Sequence, residues 1–143
     1  MQSRASASWE GDLMSGKGRT TAASGTFKDA NLSWKARTDG AAGHTTPEEL
    51  LAAAHASCFC MAFSAGLAKS GKPAKRLDAT CTVDFGPKQG GGFEVKSSAL
   101  EVKGQVPGID QAAFQKAADD AKNGCPISAA LKIPISLKAT LQS

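Results

Sequence analysis

Cysteine is scarce in this chain. Cys58, Cys60, Cys81 and Cys125 are four residues among 143, far below the density of a small fold stapled by disulfides. The opening MQSRASASWEG is polar and lacks the apolar stretch of a secretory signal. The expected compartment is therefore a reducing cytoplasm, where a cysteine is more often buried filler, a metal ligand or a reactive thiol than half of a structural bridge. Charge of one sign is in little excess too: 17 Lys and Arg against 13 Asp and Glu leave +4, spread along the chain, which argues against nucleic acid as a partner. No repeat, low-complexity run or linker divides the sequence, and 41% hydrophobic with 21% charged residues is an ordinary globular balance. A single domain over residues 1–143 is expected.

Glycine punctuates the first forty residues and leaves short strand candidates at 6–9, 18–24 and 32–37, with a glycine-rich loop at 38–46. Thr46-Pro47-Glu48-Glu49 then reads as a helix start, with a capping threonine, proline at the first helical position, and Glu49 completing a capping box. The helix runs over Pro47–Lys69 until Ser70-Gly71-Lys72-Pro73 ends it. Residues 50–68 carry no charge with His55 neutral, a length that invites a membrane reading. Seven alanines, His55, two serines, a glycine and two cysteines in that stretch weaken any drive to insert. A helix apolar on every side and buried in the fold is the expected outcome. Alternating residues predict strands at 76–85 and 93–106, joined by a glycine-rich turn, with a bulge near Ser97-Ser98 where the apolar parity changes. A helix at 111–122 capped by Asp110, a short helical piece at 127–131 and a strand at 133–141 complete the order. The fold class is α+β.

Chemistry resides in few side chains. Cys125 precedes Pro126 and so stands at a helix N-cap, where unpaired N–H groups favour thiolate over thiol; the bland alternative is an indifferent turn residue. Cys58 lies within the long helix, where filler is the commoner role, yet His55 is three residues before it and Glu48 ten before. Ten residues is nearly a whole number of turns, so Glu48 shares the Cys58 face, about 15 Å away along the axis. Arg37 is the cation suited to bridge part of that gap: beside Cys58 it would lower the thiol pKa and could donate to a peroxide or other anion, with Glu48 holding the guanidinium. Cys60 projects about 200° from Cys58 on a helix, so the two cannot bridge, and Cys60 and Cys81 read as core. His55 is either a base for Cys58 or a hydrogen-bonded structural residue, and His44 reads as solvated. A zinc site of His55, Cys58, Cys125 and His44 is the metal alternative, without the close ligand spacing such sites show.

These stretches together resemble the OsmC/Ohr family, its OsmC branch in particular. The likeness is carried by Thr46-Pro47-Glu48-Glu49-Leu50-Leu51 running on to Ala54-His55-Ala56-Ser57-Cys58-Phe59, by Val106-Pro107-Gly108-Ile109-Asp110, and by Gly124-Cys125-Pro126-Ile127-Ser128, with Trp9-Glu10-Gly11-Asp12 and Gly16-Lys17-Gly18 in support. The resemblance implies a thiol peroxidase that reduces organic hydroperoxides. Cys58 matches the peroxidatic cysteine and Cys125 the resolving one; Arg37 matches the arginine that stabilises thiolate and peroxide, and Glu48 the glutamate that orients it. It further implies an intertwined homodimer with antiparallel sheets around the long helices, a lipoyl-type or thioredoxin-type dithiol as reductant, and no metal, haem or flavin cofactor. Neither membrane nor nucleic acid is expected as a partner. Cys60 stands where a serine or other small residue is expected. The reading from another class is a non-catalytic redox or ligand-binding stress protein of the same fold.

Overall fold

The computed structural model describes residues 1–143, which fall into two compact units, Met1–Leu50 and Leu51–Ser143. In the first, strands β1 (Ala5–Glu10), β2 (Lys17–Ala22) and β3 (Ala30–Leu32) form an antiparallel sheet in that order. Asp12 builds the β1–β2 turn by accepting from the N–H groups of Met14 and Ser15 at 2.8 and 2.9 Å. The Trp9 indole lies against Gly18, where a Cβ would stand 2.6 Å from the ring; only glycine admits so close an approach.

The strand expected at residues 32–37 is a correction. After β3 the chain turns into helix α1 (Trp34–Asp39), because Ser33 caps it, its hydroxyl accepting from Ala36 N–H at 3.1 Å. Gly40, at φ 77°, ends it. Arg37 therefore sits in the last turn of a helix, not at the end of a strand. The capping box is half made: Thr46 accepts from Glu49 N–H at 3.0 Å, but the Glu49 carboxylate takes the Thr45 hydroxyl at 2.6 Å.

Helix α2 (Pro47–Lys69) leads into the second unit. It is long and apolar enough to cross a bilayer, with a mean hydropathy of 1.6 over its most apolar stretch. The expectation that it is buried on every side does not hold within one chain. His55, Phe59, Phe63 and Leu67, four residues apart, are fully buried, whereas Met61 on another face is 68% exposed. That stripe joins Leu100, Val102, Ala139 and Phe114 in one apolar core, each fully buried Phe or Leu contributing about 1.5–3 kcal/mol. A helix whose stripe is the core of a folded unit is not free to leave it for lipid.

Strands β4 (Arg76–Pro87) and β5 (Phe93–Gln105) pair antiparallel, and β6 (Ile135–Gln142) joins β5 parallel. The expected purely antiparallel sheets are thus corrected to one antiparallel and one mixed sheet. Parallel neighbours need a crossover, and helices α3 (Gln111–Gly124) and α4 (Pro126–Ala130) supply it. The bulge falls one residue before the expected pair: Asp84 faces Ser97 while Phe85 faces Val95, leaving Lys96 extra. Beyond it Ser98, Leu100, Val102 and Gly104 form one buried row. Asp110 caps α3 by accepting from Ala113 N–H at 2.8 Å, and the helix buries Phe114, Ala118 and Ala121.

Candidate active site

Two pieces of secondary structure bring the sulfurs together. Cys58 is half-buried on α2, on the turn after His55. Cys125 is fully buried at the junction where α3 stops and Pro126 starts α4, at the C-cap position of the first and the N-cap position of the second. Although 67 positions apart in sequence, the two thiols are near enough to influence each other's ionisation, both unbridged.

Their electrostatics differ. Burial pushes the Cys58 thiol up, the neighbouring Cys125 thiol adds to this, and the Ile127 N–H opposes it only in part. Burial pushes Cys125 up as well, but the Ser128 N–H, the Cys58 thiol, the Ser128 hydroxyl and the Ile127 N–H outweigh it and hold its pKa below the ordinary thiol value. Two sulfurs so close ionise as a pair, in which these contacts favour charge on Cys125 over Cys58. Cys60 is shifted upward chiefly by burial, against a donating Ala79 N–H, and Cys81 by burial against the Ser98 hydroxyl.

His55 is neither a base on Cys58 nor an open metal ligand. Its Nδ1 pairs with Ser98 Oγ at 2.7 Å and its Nε2 with Ser128 Oγ at 2.8 Å. Ser98 Oγ also meets Cys81 Sγ at 3.1 Å. Both ring nitrogens are committed, so the zinc grouping with Cys58 and Cys125 loses the donor it required from His55. The pair of serines escaped the sequence reading. Ser98 announces itself only once the bulge is located, since the parity change then puts a hydroxyl in an apolar inward row. For Ser128 no local signal exists.

In the first unit, Arg37 and Glu48 form a forked ion pair. Nη2 donates to Oε1 at 2.7 Å and Nε to Oε1 and Oε2 at 3.1 and 3.2 Å. Glu48 is buried and Arg37 half-buried, so α1 and the first turn of α2 fix the guanidinium plane. His44 is exposed, its Nδ1 3.3 Å from Ala42 O.

The α+β fold thus brings two free cysteines near one another at a helix junction, in a unit that also buries a histidine between two serines. The family model described as OsmC-like protein matches residues 38–140. The chain is 40% identical over 137 residues to Peroxiredoxin OsmC of Escherichia coli (strain K12), covering 96% of this chain and 94% of that one. It is 35% identical over 117 residues to the Organic hydroperoxide resistance protein of Xanthomonas axonopodis pv. citri (strain 306), covering 79% and 78%. This chain belongs to the OsmC-like family. In fold it is similar to an organic hydroperoxide resistance protein from Elizabethkingia anophelis, with a TM-score of 0.71, 22% identity and coverage of 100% and 98%. An OsmC-like protein of unknown function from Vibrio cholerae gives a TM-score of 0.75 at 16% identity, covering 97% and 99%.

Proposed function

We propose that the chain is a cysteine-based peroxidase that reduces organic hydroperoxides to alcohols, in defence against oxidative and osmotic stress. The carrying observation is the approach of the Cys58 and Cys125 thiols across 67 residues, one half-buried and the other fully enclosed. The names of its relatives, a peroxiredoxin and a hydroperoxide resistance protein, support the same reading.

Access supports one order of events. Cys58 is half-buried and Cys125 wholly enclosed, so peroxide meets Cys58. The Cys58 proton passes to Cys125, and the resulting Cys58 thiolate attacks one peroxide oxygen. The S–O bond forms, the O–O bond breaks, and the sulfur is oxidised to a sulfenic acid. The departing alkoxide takes the proton from Cys125 and leaves as alcohol. Cys125, now thiolate, attacks the Cys58 sulfur; the S–S bond forms and hydroxide leaves, gaining a proton from solvent. An external dithiol of lipoyl or thioredoxin type exchanges with this disulfide, returns both thiols and is itself oxidised. Arg37, its plane held by Glu48, is assigned to the negative charge that builds on the peroxide oxygens.

The exposed apolar side of α2 around Met61 supports pairing of two chains through these helices. The family match, which runs across the boundary between the two units, supports one functional domain over residues 1–143. A reducing cytoplasm suits the need for a dithiol donor.

Consumption of cumene hydroperoxide with a dithiol reductant, for wild type, Cys58→Ser and Cys125→Ser, tests the reading. Cys58→Ser is expected to be inert, and Cys125→Ser to turn over with small thiols but to be inactivated faster by excess peroxide. Undiminished consumption by Cys58→Ser refutes the mechanism, and an inert wild type leaves a binding protein.

A further inference from the structure

The chain has two tryptophans, Trp9 and Trp34, and both border one small cavity in the Met1–Leu50 unit. Its volume is about 210 Å³, and its apolar walls are Trp9, Leu13, Leu32, Trp34 and Pro47. Arg37 is the single charged side chain on it. Ser33 also borders the cavity, but its hydroxyl is engaged as the cap of α1, accepting from Ala36 N–H at 3.1 Å.

The sequence prepares these walls before anything enters. Gly16 and Gly18 leave bare backbone against the Trp9 indole: a Cβ at the first would stand 2.7 Å from Nε1, and at the second 2.6 Å from the ring. The indole N–H donates to the carbonyls of Gly11 and Asp12 at 3.2 and 3.3 Å. The ring is thereby fixed in its plane, yet Trp9 stays 42% exposed and Leu13 54%. A wall already in place loses little entropy when a ligand meets it.

The same walls select an occupant. Aromatic and aliphatic sides take an apolar group. Arg37 is already neutralised by the buried Glu48 carboxylate, 2.7 Å away, so a carboxylate or phosphate finds little net attraction there. A neutral ligand with a polar end suits the site better. At roughly 30 Å³ per non-hydrogen atom, one water's share of liquid volume, the cavity holds about seven such atoms. That is a ring or a branched alkyl group, and only part of a long acyl chain.

We propose that this cavity receives the organic group of the hydroperoxide, a compact ring or branched alkyl with its polar end toward Arg37, and that Trp9 and Leu13 set the preference for it. The identity of the polar end as a peroxide rests on the peroxidase reading; recognition of a neutral apolar group does not.

The chain contains no tyrosine and both tryptophans border the cavity, so tryptophan emission reports its occupation. Cumyl alcohol, the product expected from cumene hydroperoxide, is titrated into wild type, Leu13→Asn and Trp9→Leu. A saturable change in emission is expected in wild type, with tert-butanol held about tenfold more weakly because it lacks the ring. Leu13→Asn and Trp9→Leu should each weaken cumyl alcohol by about tenfold. In turnover, Leu13→Asn should lower kcat/KM for cumene hydroperoxide by about tenfold and leave that for hydrogen peroxide within about twofold, since the latter has no organic group to place. Emission unmoved by cumyl alcohol, an affinity unchanged in Leu13→Asn, benzoate held more tightly than cumyl alcohol, or equal falls for the two peroxides overturns the proposal. Should Trp9→Leu not fold, Leu13→Asn decides alone. The alcohol titration needs no turnover, so a chain inert to hydroperoxides that binds cumyl alcohol through Leu13 would sink the peroxidase reading and keep the cavity's preference for a neutral apolar group.

Discussion

Gly104 and Phe114 set a steric test whose size follows from the packing. Gly104 lies in the buried row of β5, paired with Leu77 on one side and Leu141 on the other. Its φ is not in the positive region, so alanine suits the backbone and the cost of Gly104→Ala is wholly one of space. A Cβ there would stand 2.5 and 2.6 Å from two atoms of the Phe114 ring and 2.9 Å from Leu77 Cδ2, against an ordinary contact of 3.4–4 Å. The ring must withdraw by about 1 Å, yet it is fully buried, with the Phe63 ring centroid 5.1 Å away. Overpacking of this kind costs about 1–3 kcal/mol. Phe114→Leu alone costs a similar amount by leaving a cavity, about 1–3 kcal/mol. The two faults offset each other, so the double variant should lose about 1 kcal/mol less than the sum. Urea denaturation of the four proteins measures this. A Gly104→Ala protein within about 0.5 kcal/mol of wild type, or strict additivity in the double variant, would refute the packing argument. Because Cys125 follows α3 directly, Gly104→Ala should also slow disulfide closure, and Phe114→Leu should return part of it.

Arg37→Lys keeps the charge but loses the forked contact with Glu48, so kcat/KM for cumene hydroperoxide should fall by about 100-fold. Adding Glu48→Gln should then cost little more, because the pair acts as a unit; a fall multiplied by the full single-variant effect argues that each residue acts alone. Burial holds His55 below its ordinary pKa, so as pH drops below about 6.5 the unfolded chain gains a proton that the folded chain refuses. Stability is complete above that pH and declines below it, by at most about 1.4 kcal/mol per pH unit for this one group. Urea midpoints at pH 7.5 and 5.5 measure the decline, which His55→Gln should lessen; an equal decline in that variant would assign it to other groups.

Local chemistry made most elements legible. Thr46-Pro47 and Asp110 announce helix starts through side chains adjacent in sequence, and the β5 bulge shows in the change of apolar parity between Val95 and Leu100. Residues 32–37 misled because Leu32, Trp34 and Ala36 alternate like a strand, and a six-residue helix is too short to show its own period. The deciding contact, Ser33 to Ala36, is one capping bond that alternation outweighed. The parallel placement of β6 and the one-sided burial of α2 depend on packing between distant segments. At the site, Cys58 and Cys125 drew notice separately by position, and their pairing came from family resemblance, since no local pattern reaches across 67 residues. His55 was visible as a choice of roles, but choosing required Ser98 and Ser128, each supplied by a different element.

The crossover between β5 and β6 bears on how the protein is made. Ser98 pairs with Ile135 and Gln105 with Gln142, so α3, Cys125 and α4 are suspended between two anchors that must both dock. Such long-range pairings form late, because loop-closure entropy must be overcome before they return anything. Until then Cys125 has no fixed address and Cys58 lacks it as a neighbour. Reactivity of the pair thus serves as an internal certificate of completed topology: a half-formed chain does not present the two sulfurs side by side, and a finished one does.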